Sequence, residues 1–267
     1  MTTGALIFAF NNEHIDYLAM ARWSANNINR HLNIPTAIVT NQLFDATAHE
    51  ICIYSTPEGN FTRKFADQTN DVTWYNGNRV DAYHLSPWDC TLVLDADYVI
   101  ASEQLKKVLA MNCNFVAHKT AYDIIHQDNF DSLNSFGNFK MPMWWATVMM
   151  FRKSTEAEMI FDCMLMVKKN WNHYKNLYKI LTPTYRNDFA LSIALGMVNG
   201  HMLDHIDIPW KLASITPSRS LTKMALDEYR VDFLTHDQKS RYITICKQDF
   251  HAMGKRHLGD IVVSDSR

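Results

Sequence analysis

The stretch that most constrains this chain is CTLVLDADYVI, residues 90–100, an apolar run of strand length that stops on two acids. A strand with no polar alternation has no face to offer to water, so it belongs inside a sheet covered on both sides, as parallel strands are in α/β folds. The same signature recurs upstream. GALIFAF (4–10) ends in Asn11 and Asn12, TAIVT (36–40) follows Pro35, and EICIY (50–54) precedes a polar segment reaching about Asn78. Between the first two runs, Ile15, Leu18, Ala19, Trp23, Ala25 and Ile28 recur at helical spacing from His14 to Leu32, which predicts a β-α-β opening.

Farther on, Arg79, Val80, Tyr83 and Leu85 mark a short helix that Pro87 stops. Ser102 is the expected N-cap of SEQLKKVLA. Strands are expected in NFVAHK and ATVMMFR and helices near 155–170 and 186–199, while the final fifth shows no clear period. The chain is read as one domain, with 1–118 as a ligand-binding half and 119–267 carrying a second binding surface and the C-terminal segment.

At 47% hydrophobic and 20% charged residues, with 8 Gly and 7 Pro, the composition is that of a packed globular protein and excludes a disordered or linker-rich one. The net charge of −2 excludes a global basic field for nucleic acid, although the chain from Lys211 onward is mildly basic against an acidic remainder. The five cysteines are far apart and never form a CxxC pair, which argues against a disulfide framework or a zinc ribbon and for a reducing compartment. The first apolar run is too short for a membrane span or a signal peptide, so the expected location is cytoplasmic, with no membrane span.

An Asp-x-Asp triplet arises by chance in roughly half of all chains this long, so the setting of Asp95-Ala96-Asp97 decides its meaning. It lies where an apolar strand ends, the edge at which open α/β sheets bind ligands. Two carboxylates held there can bind Mg²⁺ or Mn²⁺ with positions left for diphosphate oxygens. Capping the strand or pairing with nearby bases is the plain alternative.

The block RVDAYHLSPWDCTLVLDAD, residues 79–97, resembles the corresponding region of GT-A glycosyltransferases, the glycogenin-like family 8 above all. That resemblance implies a GT-A type fold, with a Rossmann-like mixed central sheet flanked by helices. It also implies a metal-dependent transfer of sugar from a nucleoside-diphosphate sugar, a UDP-sugar in first place, with retention of configuration. Asp97 would ligate the metal, Asp95 would touch metal or ribose, and Arg79 would contact the donor or orient the acids. In FHAMGKRHLG, His251 matches the family's late metal ligand, while Lys255, Arg256 and His257 compete for the phosphate role because the spacing after Gly254 departs from the family's HxxGxxK. A glycine there would allow close backbone approach.

Two further segments extend the likeness. WATVMMFRKS (145–154) is similar to the family's strand after the acceptor loop, and YRNDFALSIAL (185–195) to its acid-bearing helix start. Asp188, with Asn187 beside it, falls at the family's position near the anomeric carbon, where a carboxylate stabilises positive charge, attacks, or orients the acceptor; capping the helix is its rival role. Phe10 and Asn11 match the region of the base-binding loop, Asn11 being equally a turn former. Trp144 and Trp145 are candidates to stack on an acceptor sugar or to fill the core. Glycan, protein, metabolite and a hydroxylated base in DNA all stay open as acceptors.

Two rival readings remain. LVLDADYV also fits a haloacid-dehalogenase-type phosphohydrolase, with Asp260 and Asp265 imitating a second acidic motif near the end of the chain. A GT-A-like domain without turnover would serve as a binding module. Nucleotidyltransferases and dinucleotide dehydrogenases drop out, since FAFNNEH has no Gly-rich phosphate loop and no GxGxxG occurs.

Overall fold

In the computed structural model, which describes residues 1–59, 61–64, 71–201 and 205–265, the apolar runs assemble into one six-stranded sheet. Its strands are β1 (Thr3–Ala9), β2 (Thr36–Thr40), β3 (Glu50–Tyr54), β4 (Cys90–Leu94), β5 (Phe115–His118) and β6 (Trp145–Arg152), in the order β3-β2-β1-β4-β6-β5. The first four are mutually parallel, and β6 runs antiparallel to both β4 and β5. Every residue of β2 and β4 is buried, whereas the edge strand β3 is partly exposed. Unalternating apolar sequence and central position therefore coincide. The expected mixed α/β architecture, a central mixed sheet flanked by helices, is the one observed.

Helix α1 (Tyr17–Leu32) starts where the Asp16 side chain accepts the Ala19 N–H, and ends at Asn33 in the left-handed conformation. Helix α2 (Thr155–Lys169) is capped by Ser154, with Glu156 and Glu158 in its first turn and Lys168 and Lys169 in its last, each sign complementing the helix dipole. Helix α3 (Asn187–Val198) lies against α2 and β6 and is buried from Phe189 through Leu195. Helix α4 (Lys255–Asp265) packs on α1. One apolar cluster runs from Ala5 to Val262. Among the described residues, no helix is long and apolar enough to cross a membrane.

A second, four-stranded sheet has the order Tyr98–Val99, Phe250–Ala252, Leu212–Ile215, Ala121–Asp123. By pairing His251 with Tyr98, it carries the C-terminal segment to a point just beyond the acidic triplet. The final fifth, without clear period in the sequence, contains an antiparallel meander, Ser220–Ala225, Glu228–Leu234 and Ser240–Cys246. One expectation fails locally: Ser102 does not cap a helix. Its hydroxyl accepts the Gln104 N–H at 3.1 Å in a turn, and the helix begins only at Leu105. The bond closes a separate turn ahead of the helix, a local side-chain-to-backbone contact that short hydroxyl residues favour.

Candidate active site at the end of β4

The triplet forms a tight turn off β4. Asp95 donates its N–H to the Thr147 carbonyl at 3.0 Å, its own carbonyl accepts the Tyr98 N–H at 3.0 Å, and the Asp97 carbonyl accepts the Ala252 N–H at 2.9 Å. This last bond ties the triplet to the C-terminal segment. His251 Nε2 then lies 3.4 Å from Asp97 Oδ2, and Lys255 Nζ, on the first residue of α4, lies 2.5 Å from the same oxygen. Burial alone would raise the Asp97 carboxyl, but the Lys255 ammonium and the His251 ring outweigh it and hold the group well below the usual carboxylate range. Asp97 is thus an anion kept in a buried place by two basic neighbours.

Arg79 is the ion-pair partner of Asp95. Its guanidinium is buried, pairs with Asp95, and donates from Nη1 to the Ala146 carbonyl at 2.8 Å. Burial would lower its pKa, yet the Asp95 carboxylate raises it, with Asp188 and Asp97 adding to the effect. One ligand atom each from Asp95, Asp97 and His251 lies within 4.8 Å of the others. Two carboxylate oxygens and an imidazole nitrogen suit a hard-to-borderline divalent cation, and the His251 Nδ1 is buried with no hydrogen-bond partner, so the donor set fits Mn²⁺ or Mg²⁺.

The pairing of β6 with β5 shifts register between Trp145 and Met149. Such irregularities release backbone groups from the ladder. Here Ala146 uses both of its own: the carbonyl holds Arg79, and the N–H donates to Asp188 Oδ1 at 2.9 Å. The other oxygen of Asp188 accepts from Arg186 Nη2 at 2.7 Å. Asp188 therefore does not cap α3; Arg186 occupies the N-cap position without a side-chain cap bond, and the carboxylate instead reaches across to β6. Asn187 accepts from the Tyr185 hydroxyl at 3.1 Å and donates to the Asn76 carbonyl at 3.0 Å.

These groups line one cavity of about 310 Å³. Phe10, Arg79, Asp95, Ala96, Asp97, Trp145, Asn187, Asp188, His251 and Lys255 all border it. Asn11 and Trp144 do not. Asn11 accepts the Leu18 N–H at 2.8 Å and donates to Asp16 at 2.9 Å, which secures the entry to α1, and Trp144 is buried under Lys119 and beside His205. Of the three basic candidates near the C-terminus, only Lys255 borders the cavity. Gly254 has ordinary van der Waals room for a side chain, so close approach does not demand glycine there. Asp260 and Asp265 lie on α4 away from the cavity, Asp265 being paired with Lys223 and Trp23, which removes the second acidic motif of the phosphohydrolase reading.

Sequence reasoning missed Tyr17, Trp74, Tyr75 and Asn76 as lining residues. Trp74 and Tyr75 were conspicuous as adjacent aromatics in an otherwise polar segment, and the Trp74 ring lies 5.4 Å from the Lys255 ammonium.

No family model matches the sequence, and no curated protein does. Among solved structures, the glycosyltransferase GlyE of Streptococcus pneumoniae TIGR4 is similar at 11% identity and a TM-score of 0.44, over 78% of this chain and 46% of GlyE. The chain thus spans less than half the length of that protein. The galactosyltransferase LgtC, in complex with donor and acceptor sugar analogs, is similar at 12% identity and a TM-score of 0.45, over 72% of this chain and 70% of LgtC. A Drosophila β1,4-galactosyltransferase 7 variant in complex with manganese, UDP-Gal and xylobiose aligns over 93% of this chain and 96% of its own, at 9% identity and a TM-score of 0.36. These are distant likenesses, and the functional reading rests on the cavity itself.

Proposed function

We propose that this chain is a metal-dependent glycosyltransferase of GT-A type, taking a nucleoside-diphosphate sugar, a UDP-sugar in first place, and passing the sugar to an acceptor hydroxyl with retention. The observation that supports it is the convergence of Asp95, Asp97 and His251 within 4.8 Å, with Lys255 and Arg79 beside them, at the carboxyl end of a central parallel strand. Asp95, Asp97 and His251 would hold Mn²⁺ or Mg²⁺, which supplies positive charge against a departing diphosphate. Lys255 is placed to exchange Asp97 for a phosphate oxygen. Arg79, fixed by the Ala146 carbonyl, pairs with Asp95 and orients it. Asp188 is held at both oxygens on the same wall, where a fixed carboxylate stabilises positive charge developing on a sugar ring. Tyr17, Trp74 and Tyr75 offer aromatic faces to a base.

The test is a nucleotide-release screen across UDP-, GDP- and CDP-sugars, with Mn²⁺, with Mg²⁺ and with chelator. Metal-dependent release of UDP is the expected result. No release from any donor by folded protein would reject turnover and leave a binding module.

A further inference from the structure

Two turns beside the cavity touch each other and are held by one buried ring. The first, 137–140, closes the small hairpin in which Phe136 pairs with Met141. The second, 177–181, ends the short helix Trp171–Leu177, where the Ile180 N–H closes on the Lys175 carbonyl at 2.9 Å. Gly137, at φ 65°, lies so close against the Tyr178 carbonyl that no Cβ would fit, and the approach of the two turns depends on that glycine. Phe189, the residue after Asp188, anchors both: the Phe136 ring packs on it with centroids 5.0 Å apart, and the Trp171 ring stacks on it at 6.0 Å. Just past the second turn, Thr184, Tyr185 and Arg186 line the cavity.

What these turns show to solvent combines apolar bulk with positive charge. Phe139 is 67% exposed, Leu177 51% and Leu181 98%. Large apolar side chains left out singly are ordinary, but several on adjoining turns mark a contact surface. Lys140, Lys175 and Lys179 stand among them, and none of the three forms an ion pair among the described residues. Lys140 and Lys179 take left-handed backbone, φ 51° and 56°, where glycine is the usual residue. Segments 133–141 and 170–186 contain no aspartate or glutamate, in a chain whose net charge is −2. The patch is therefore basic against the sign of the whole molecule.

Charge and apolar surface together select the partner. A second copy meeting through this face would set the lysines against themselves, and lysine is depleted from protein interfaces. Nucleic acid would take up the cations but leave Leu177 and Leu181 without an apolar partner. A bilayer bearing anionic headgroups meets both needs: leucine and phenylalanine enter the boundary of the acyl chains, while the lysine stems extend to the headgroups.

We propose that this face docks the chain on an anionic bilayer surface, lying on it without crossing it. Thr184 follows Leu181 closely in sequence, so docking brings the cavity wall near the headgroups. The experiment is co-sedimentation of the full chain, in EDTA and without nucleotide sugar, with vesicles of phosphatidylcholine alone and of phosphatidylcholine with about a third phosphatidylglycerol. Binding is expected to the anionic vesicles only, and at least ~10-fold weaker at about 0.5 M than at about 0.1 M NaCl. Phe139→Ser with Leu181→Ser, and separately Lys140→Asn with Lys179→Asn, should each weaken it ~10-fold or more. All four positions are exposed and asparagine tolerates left-handed backbone, so thermal unfolding of both variants should match the parent. Lys239→Gln with Arg241→Gln, on the meander, should leave binding unchanged. No binding to anionic vesicles, equal binding to both kinds, loss in only one of the two variants or equally in the meander variant, tighter binding of a short DNA duplex, or a dimer abolished by Phe139→Ser with Leu181→Ser would each overturn the proposal. With neither metal nor donor present, the outcome is independent of the glycosyltransferase reading.

Discussion

Replacing His118 by Asn and Asp249 by Asn should change the pH dependence of stability in opposite directions. Burial pushes the His118 ring from 6.5 down to about 4, the bond to the Trp210 carbonyl offsetting only part of it. As pH falls from 6.5, the unfolded chain takes up a proton that the folded ring refuses, so stability owed to the neutral ring is full above 6.5 and lost by about 4. At about 1.36 kcal/mol per pH unit, that gap is worth about 3 kcal/mol. Asp249 runs the other way: burial raises its carboxyl from 3.8 to about 6, with the Ala101 and Ser102 groups and His31 opposing, so its penalty is present above about 6 and relieved as pH falls toward 3.8. That window is again worth about 3 kcal/mol, and in the parent protein the two trends largely cancel. Asn at 118 keeps an N–H for the Trp210 carbonyl, and Asn at 249 keeps an acceptor for the Ala101 N–H. Urea unfolding of the parent and both variants between about pH 7 and about pH 4.5 gives the variant-minus-parent differences, which cancel the titrations common to all three. Relative to the parent, His118→Asn should gain stability on acidification and Asp249→Asn should lose it. Two differences that are flat with pH, or that slope the same way, would refute the burial reasoning.

Asp97→Asn should cut metal-dependent nucleotide release by ~100-fold or more and weaken Mn²⁺ binding by calorimetry, because it removes the charge that His251 and Lys255 surround; near-parent release would sink the metal-site assignment. Asp188→Ala should retain donor binding, measured by calorimetry, while losing sugar transfer; unchanged transfer would return Asp188 to a purely structural tie on Ala146. Arg79→Met should cost about 3 kcal/mol in urea unfolding by leaving Asp95 without its buried partner, and a cost under ~1 kcal/mol would show that water satisfies Asp95 instead.

The sequence carried the central sheet because burial on both faces writes itself as uninterrupted apolar runs, and the four parallel strands begin and end within a residue or so of those runs. It carried Asp95 and Asp97 for the same reason, since a strand end is visible where the run stops. His251 was reachable only through resemblance: nothing local to FHAMGKRHLG shows that Phe250–Ala252 pairs with Tyr98, a contact between segments about 150 residues apart. Long-range pairing of very short strands leaves no period to read.

What the sequence hid most completely is the dual use of Ala146. Its side chain is a methyl buried in β6, and its importance lies in two backbone groups set free by the register shift before Met149. Through them, Arg79 with Asp95 on one side and Asp188 on the other are fixed to a single residue of the central sheet. Spacing therefore could locate the charged residues but not the part that aligns them. A substitution that alters the backbone there, Ala146→Pro above all, deletes the N–H that holds Asp188 while leaving every charged side chain of the cavity in place. It should reduce transfer about as severely as Asp188→Ala while sparing Mn²⁺ affinity by calorimetry. Parent-like transfer by folded Ala146→Pro protein would show that Arg186 alone positions Asp188.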